Sequence, residues 1–174
     1  MCYQWDPWYN CDVPRDEELT FADHLGRFYA RRYGFAPMVG RVLGYLLVCD
    51  PRGQTIGELS DALLASRTAI TGALNVLERL DVIRRSRAAG ERMDRIRLDM
   101  SSPKSQGFDI TEYEQLGDMA REGLQVLKDA PPERKVELLE MAAFADFLVD
   151  RTRALQHEWE AHRDALRAAG ELPE

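Results

Sequence analysis

The sequence predicts an all-α fold carrying one small β-hairpin, and three observations lead there. Apolar residues recur at helical spacing through most of the 174 residues. A single β-branched, arginine-rich stretch over 82–98 alternates instead, as a short hairpin does. The last third reads as one amphipathic helix of roughly 35 residues, about 50 Å long and longer than a small domain needs. The length suits one compact domain or two small lobes sharing a core, and an apolar content of 45% excludes generic disorder.

Taken in order, residues 1–14 set Tyr3, Trp5, Trp8 and Tyr9 among Pro, Asp and Asn without periodicity, and read as an irregular arm. A first helix runs from Pro14–Asp16 to about Tyr33, with either Leu19, Ala22 and Leu25 or Phe21, Leu25 and Phe28 on its inner face. Gly34 suits its C-terminal cap. Pro37 suits the first turn of a second helix, whose apolar set is Val39, Val42, Leu43, Leu46 and Leu47. Cys49-Asp50-Pro51-Arg52-Gly53 is turn chemistry. Thr55 stands three before Glu58, a capping box opening a short helix with Ile56, Leu59, Leu63 and Leu64. Ser66 can cap the next helix, whose inner residues Ile70, Leu74, Leu77 and Leu80 oppose a polar face of Arg67, Thr68, Thr71, Gly72, Asn75 and Arg79. Two short helices joined by a tight turn, the second with a small polar and basic outer face, form a helix-turn-helix pattern.

A strand from Val82 to Ser86, a turn at Ala88–Glu91 and a second strand from Arg92 to Leu98 then make a wing. Residues 100–108 read as a linker. A helix from about Ile110 to Lys128 carries Tyr113, Leu116, Met119 or Ala120, Leu124 and Leu127 on its apolar face. Pro131-Pro132 opens the long helix, reaching about Ala168, with Val136, Leu139, Ala143, Phe144, Phe147, Leu148, Leu155, Trp159 and Leu166 on its stripe. A partner subunit is the simplest cover for so long a helix.

The formal charge of −7 weighs against a nucleic-acid partner only if it is spread evenly, and it is not. Residues 1–65 carry a surplus of three acids and 109–174 a surplus of eight, whereas 66–108 carry a surplus of four bases. Six arginines (84, 85, 87, 92, 95 and 97) fall within the hairpin against Glu91 and Asp94. No apolar run is long enough to span a bilayer, and the first residues lack a basic, apolar leader, so no membrane role and a cytoplasmic location are expected. Cys2, Cys11 and Cys49 lack metal-ligand spacing, and His24, His157 and His162 each stand alone, so no metal is expected. No GxSxG, phosphate loop or dinucleotide fingerprint occurs, which leaves neither an enzyme nor a cofactor with positive support.

The segments Gly40-Arg41-Val42-Leu43-Gly44-Tyr45-Leu46-Leu47-Val48-Cys49-Asp50-Pro51, GELSDALLAS at 57–66, Ala89-Gly90-Glu91-Arg92 and Asp129-Ala130-Pro131-Pro132 resemble the MarR superfamily of winged helix-turn-helix regulators. The likeness is to its GbsR-type branch and to mycobacterial MarR-like repressors of lipid and drug efflux transporters, and it covers most of 15–150. It implies a homodimer that represses transcription, perches two winged lobes on a pseudo-palindromic operator in double-stranded DNA, and is released by a small apolar or lipid-like ligand. Its parts would be an arm and dimerisation helix at 1–36, a winged helix-turn-helix at 37–103 and dimerisation helices at 104–174. Where the family wing often continues with a second basic residue, Met93 follows Glu91-Arg92 here.

On that reading the DNA-contact candidates are Ser66, Arg67, Thr68, Thr71, Asn75, Arg87, Arg92 and Arg95. Arg67 and Asn75 suit bidentate contacts to guanine and adenine, and Thr68 and Thr71 suit phosphates or thymine methyls. Ser66 serves equally well as a cap alone, and Arg84, Arg85 and Arg97 fit bracing of the hairpin. Phe21, Phe28, Met38, Tyr45, Leu116 and Met119 are candidates to line an effector cleft, although apolar stripes of this kind more often mean plain core packing. A reading from another class is a helical interaction module whose winged lobe takes a protein partner, to which the acidic C-terminal part would offer a complementary face.

Overall fold

The computed structural model describes residues 16–49, 53–87 and 92–173. The expected N-terminal arm and the hairpin turn at 88–91 lie outside them. The chain divides into two compact units, Met1–Ser102 and Pro103–Glu174.

The first unit begins with helix α1, Asp16–Tyr33. Asp16, Glu17 and Glu18 in its first turn and Arg31 and Arg32 in its last oppose the helix dipole favourably at both ends. Gly34 closes it at φ +70, its amide donating to the Ala30 carbonyl at 3.1 Å. Helix α2, Pro37–Val48, follows with its proline in the first turn, where the missing N–H has no helical partner anyway.

These two helices touch backbone to backbone. A Cβ on Gly40 would stand 2.6 Å from the Leu25 carbonyl oxygen, and one on Gly44 would stand 2.8 Å from the Ala22 Cα. That closeness decides which of the two expected faces of α1 turns inward. The seam takes Ala22 and Gly26, with Leu19, Leu25 and Tyr29 partly covered beside it, and leaves Phe21 and Phe28 40% and 47% exposed.

Helix α3, Ile56–Ala62, and helix α4, Arg67–Arg79, complete the helix-turn-helix. The expected capping box is present in both directions: the Glu58 amide donates to Thr55 Oγ1 at 3.2 Å and the Thr55 amide donates to Glu58 Oε2 at 2.7 Å. Ser66 caps α4, accepting from the Ala69 amide at 3.2 Å. The core gathers Val39, Val42 and Leu43 of α2, Leu59 and Leu63, the inner face of α4 at Ile70, Leu74 and Leu77, and Ile83 and Ile96 of the hairpin.

Strands β1, Ile83–Ser86, and β2, Arg95–Leu98, pair antiparallel with Ile83 opposite Leu98 and Ser86 opposite Arg95. The second strand is three residues shorter than its alternation predicts. The ladder stops at the Ser86–Arg95 pair, and Asp94 just beyond it is engaged by Arg87 across the mouth of the hairpin at 2.7 Å. A bridge that the sequence pattern does not announce joins the segment ahead of α3 to the wing. The Gln54 amide donates to the Ile96 carbonyl at 3.0 Å, and the Ile96 amide returns to Gln54 at 2.7 Å.

The second unit is a pair of helices, α5, Thr111–Val126, and α6, Val136–Ala168. The expected long helix does not start at the proline pair. Pro132–Arg134 forms a separate 3₁₀ turn, and Lys135 caps the 33-residue helix that follows. At about 1.5 Å per residue α6 spans about 50 Å. Small residues make the seam between the two helices: Gly117 and Ala120 are buried on α5, Ala145 and Val149 on α6, and a Cβ on Gly117 would stand 3.4 Å from that of Ala145. Polar ties flank the seam. Arg153 reaches Glu114 at 2.9 Å, Arg121 pairs with Asp146, and the Trp159 indole donates to Gln106 at 2.9 Å. The last contact holds the expected linker, which is coiled into turns over 102–107, against α6. Most of the apolar stripe on α6 is not used in this seam, and Val136, Leu139, Phe144, Phe147 and Leu155 are exposed.

Candidate nucleic-acid interface

The interface starts from the turn between the two short helices. Leu63 ends α3, Leu64 takes a left-handed φ of 49°, and the chain reverses within four residues. Two reciprocal bonds hold the reversal: the Ala65 amide donates to the Ser60 carbonyl at 3.0 Å, and the Ser60 hydroxyl donates to the Ala65 carbonyl at 2.6 Å. Arg41 braces the turn from α2. Its guanidinium meets Asp23 of α1 at 2.6 Å and the Leu63 carbonyl at 3.4 Å, so one side chain joins α1, α2 and the end of α3.

With its start fixed by Ser66 and its inner face wholly buried at Ile70, Leu74 and Leu77, α4 has one possible outward face. Arg67, Thr68, Asn75 and Arg79 are exposed on it and Thr71 is half-buried. This is the polar set expected for a helix read from a groove. Ser66 is exposed as well, its hydroxyl oxygen already accepting the capping bond.

The wing is less uniformly available than its arginine count suggests. Arg84 pairs with Asp81 and, at 3.1 Å, with Asp99, while Arg85 pairs with Glu78 at the end of α4. Both therefore brace the hairpin root. Arg87 lies on Asp94, whose hydrogen bond first and charge second raise its already high pKa. Both partners of that pair are well exposed, so the pair is weak enough to exchange for a phosphate. Arg95 turns inward, its Nη1 reaching the Gly53 carbonyl at 3.3 Å and Glu58 Oε2 at 3.4 Å. Arg92 and Met93 are exposed in the bend just ahead of β2.

The six apolar candidates are divided between the two units. Tyr45 is 4% exposed and belongs to the core of the first unit, and Phe21 and Phe28 lie exposed on α1. Leu116, half-buried, and Met119, exposed, belong to α5 in the second unit. Met38 lines a cavity of about 340 Å³, with Phe35, Ala36 and Val39 on one side and Ala69, Gly72, Ala73 and Val76 of α4 on the other. Periodicity could not find this cavity, because Ala69 and Gly72 are too small to register as an apolar stripe. Among the described residues no group of His, Cys, Asp or Glu could hold a metal ion, and no helix is long and apolar enough to cross a membrane.

Residues 109–162, which make up most of α5 and α6, match the family model for MmpR5-like MarR family transcriptional regulators. The HTH-type transcriptional regulator MmpR5 of Mycobacterium tuberculosis (strain ATCC 25618 / H37Rv) is 36% identical over 124 residues, covering 71% of this chain and 74% of that protein. A crystal structure of a transcriptional regulator superposes with a TM-score of 0.74 at 30% identity, over 83% of this chain and 99% of the other. A relative of this identity, matched over nearly three quarters of its length, joins the exposed polar face of α4 and its wing in one conclusion: the chain belongs to the MarR family of DNA-binding transcriptional regulators, in its MmpR5-like group, which is not a family of enzymes.

Proposed function

We propose that this regulator is a cytoplasmic homodimeric repressor of a membrane transporter operon, and that it leaves its operator when a small apolar or amphiphilic ligand binds. The observation that carries the DNA-contact assignment is the exposed face of α4, where Arg67, Thr68, Thr71 and Asn75 lie opposite a wholly buried inner face. In this reading α4 enters a major groove, Asn75 and Arg67 read base edges, the threonines and the Ser66 cap sit near phosphates, and Arg92 and Arg87 of the wing follow the backbone. Two copies then read half-sites about one or two helical turns apart. Homodimerisation is supported by the exposed aromatic stripe of α6, with Phe144 and Phe147 each 57% exposed. Residues 1–36 and 104–174 would supply the dimerisation helices.

The cavity behind α4 supports the ligand response. Its lining is almost entirely apolar, and any occupant touches α4 at Ala69, Gly72 and Val76. A ligand there favours whichever placement of α4 accommodates it, and the population leaves the DNA-binding one.

Titration of DNA from upstream of the gene, at several salt concentrations, tests the assignment. The wild type should bind with a steep salt dependence. Arg92→Ala should weaken binding to every sequence alike and reduce the logarithmic salt slope by about one. Asn75→Ala should instead cost about 1–3 kcal/mol of discrimination at one base pair. Binding without salt slope or sequence preference would favour a protein partner for the winged lobe.

A further inference from the structure

Building on the DNA-contact reading above, we infer that Arg95 is a positioning residue that latches the wing to the start of the helix-turn-helix through Glu58, and does not itself hold DNA.

Three contacts converge at the root of the wing. The backbone bridge between Gln54 and Ile96 makes the segment ahead of α3 a third, one-residue strand on the edge of β2. Gly53 precedes it at φ +81, where a Cβ would stand 2.6 Å from the Ile96 carbonyl oxygen and 2.5 Å from Arg97 Cγ. Arg95, the first residue of β2, closes the junction from the side, one nitrogen reaching both the Gly53 carbonyl and the Glu58 carboxylate.

Glu58 has two tasks. The same Oε2 that accepts from the Thr55 amide at 2.7 Å also faces Arg95 Nη1 at 3.4 Å. The charge that caps α3 is therefore also the anchor of the wing strand. Ile83, Ile96 and the Arg85–Glu78 pair hold the hairpin to its domain, but along the β2 edge one backbone bridge alone ties it to the segment ahead of α3, and that edge can rock about the bridge. A side-chain contact on an adjoining residue removes the rocking and fixes where Arg92 stands relative to the outer face of α4. With its guanidinium drawn onto Gly53 and Glu58, Arg95 points to the root of the wing. The charge it carries serves orientation.

The two roles predict different measurements. If Arg95 held a phosphate, Arg95→Ala would lower affinity and also reduce the salt slope by about one. If Arg95 is a latch, its removal lowers affinity with the slope unchanged, because the bound state keeps the same number of phosphate contacts. Glu58→Gln isolates the ion pair, since glutamine still completes a capping box while the anionic anchor is gone. In the titration described above, Arg95→Ala should weaken binding about three- to tenfold at constant slope, and Glu58→Gln should do the same in part. The double variant should be no worse than Arg95→Ala, as for two residues acting through one contact. Arg95→Lys should recover part of the affinity. A second measurement needs no DNA: in the free full-length protein, amide exchange at Gln54 and Ile96 should quicken in Arg95→Ala and Glu58→Gln while the amides of Ile70 and Leu74 stay protected.

A reduced salt slope in Arg95→Ala, additive effects in the double variant, or unchanged exchange at Gln54 and Ile96 would each overturn the latch. Quickened exchange in a protein whose wild type shows no salt-dependent DNA binding would keep the latch and sink the DNA-contact reading instead.

Discussion

The two units of this chain are both helical and both apolar enough to fold, yet they dispose of their large side chains in opposite ways. The first unit buries Leu59, Leu63, Ile70, Leu74, Leu77, Ile83 and Ile96 almost completely, in a core closed by four helices and a hairpin. In the second, the buried hydrophobic residues are Ala120, Ala145 and Val149, while Leu139, Phe144, Phe147 and Leu155 are exposed. Two helices have only one mutual seam, and here glycine and alanine occupy it. Leu139, Phe144, Phe147 and Leu155 of α6 lie off that seam, and burying each would be worth about 1.5–3 kcal/mol. The first unit is thus built to hold a surface in place, and the second carries uncovered apolar surface suited to another copy.

The largest expected effect breaks the first half of that contrast. Leu74→Ala, in the closed core, should cost about 2–5 kcal/mol, read as a lower midpoint in chemical denaturation. A drop below about 1 kcal/mol would mean that the core is not close-packed around α4. The second half is broken on α6. Phe144→Asp combined with Phe147→Asp should convert a dimer to a monomer in sedimentation velocity and weaken operator binding, with helicity retained in circular dichroism. A variant that sediments like the wild type would remove these residues from the proposed interface.

A smaller effect, of opposite sign, sharpens the picture of the first unit. Gly72 lies in α4 with nothing within 4 Å of where a Cβ would be. Gly72→Ala should therefore stabilise the protein by about 0.5–1 kcal/mol through helix propensity, and bulkier Gly72→Leu should exclude an apolar fluorescent probe from the cavity behind α4. Undiminished probe binding in Gly72→Leu would place the ligand elsewhere.

The smallest effect concerns acid. Hydrogen bonds from Thr111, with help from Lys104, hold the Asp109 carboxyl below the usual aspartate range at the start of α5. A carboxylate whose pKa is lowered by folding stabilises the native state above its unfolded value, about 3.9, and that contribution is lost as pH falls through the folded value. Asp109→Asn should therefore lower stability slightly near neutrality, and the difference from the wild type should shrink as pH falls below about 4. A difference between the two proteins that persists undiminished into acid would contradict this assignment.

Much of the architecture was legible in the sequence because its signals are local. The Thr55–Glu58 box, the Ser66 cap, Gly34 and Pro37 stand where those residue types cap or open helices, and the structure uses each one so. The spacing of Ile70, Leu74 and Leu77 likewise set the orientation of α4, since one face must be buried and only one face is apolar. The wing arginines were the harder case. Composition counts charges but cannot pair them, and pairing depended on Glu58 and Glu78 arriving from α3 and α4 and on how the hairpin brings Asp81, Asp94 and Asp99 to its arginines. The Gln54–Ile96 bridge was illegible for a related reason, because one bridged residue has no period.

The sequence by itself therefore determined the order of helices, most of their ends, the outward polar face of α4 and the middle position of the basic segment. These follow from caps, periodicity and charge, which act within a few residues. Tertiary structure alone decided which face of α1 meets α2, that the seam of α5 and α6 runs through glycine and alanine, and that Arg95 turns in to Glu58. Those outcomes depend on how closely two backbones approach and on which charged group lies across the gap. Chain-distant neighbours set both.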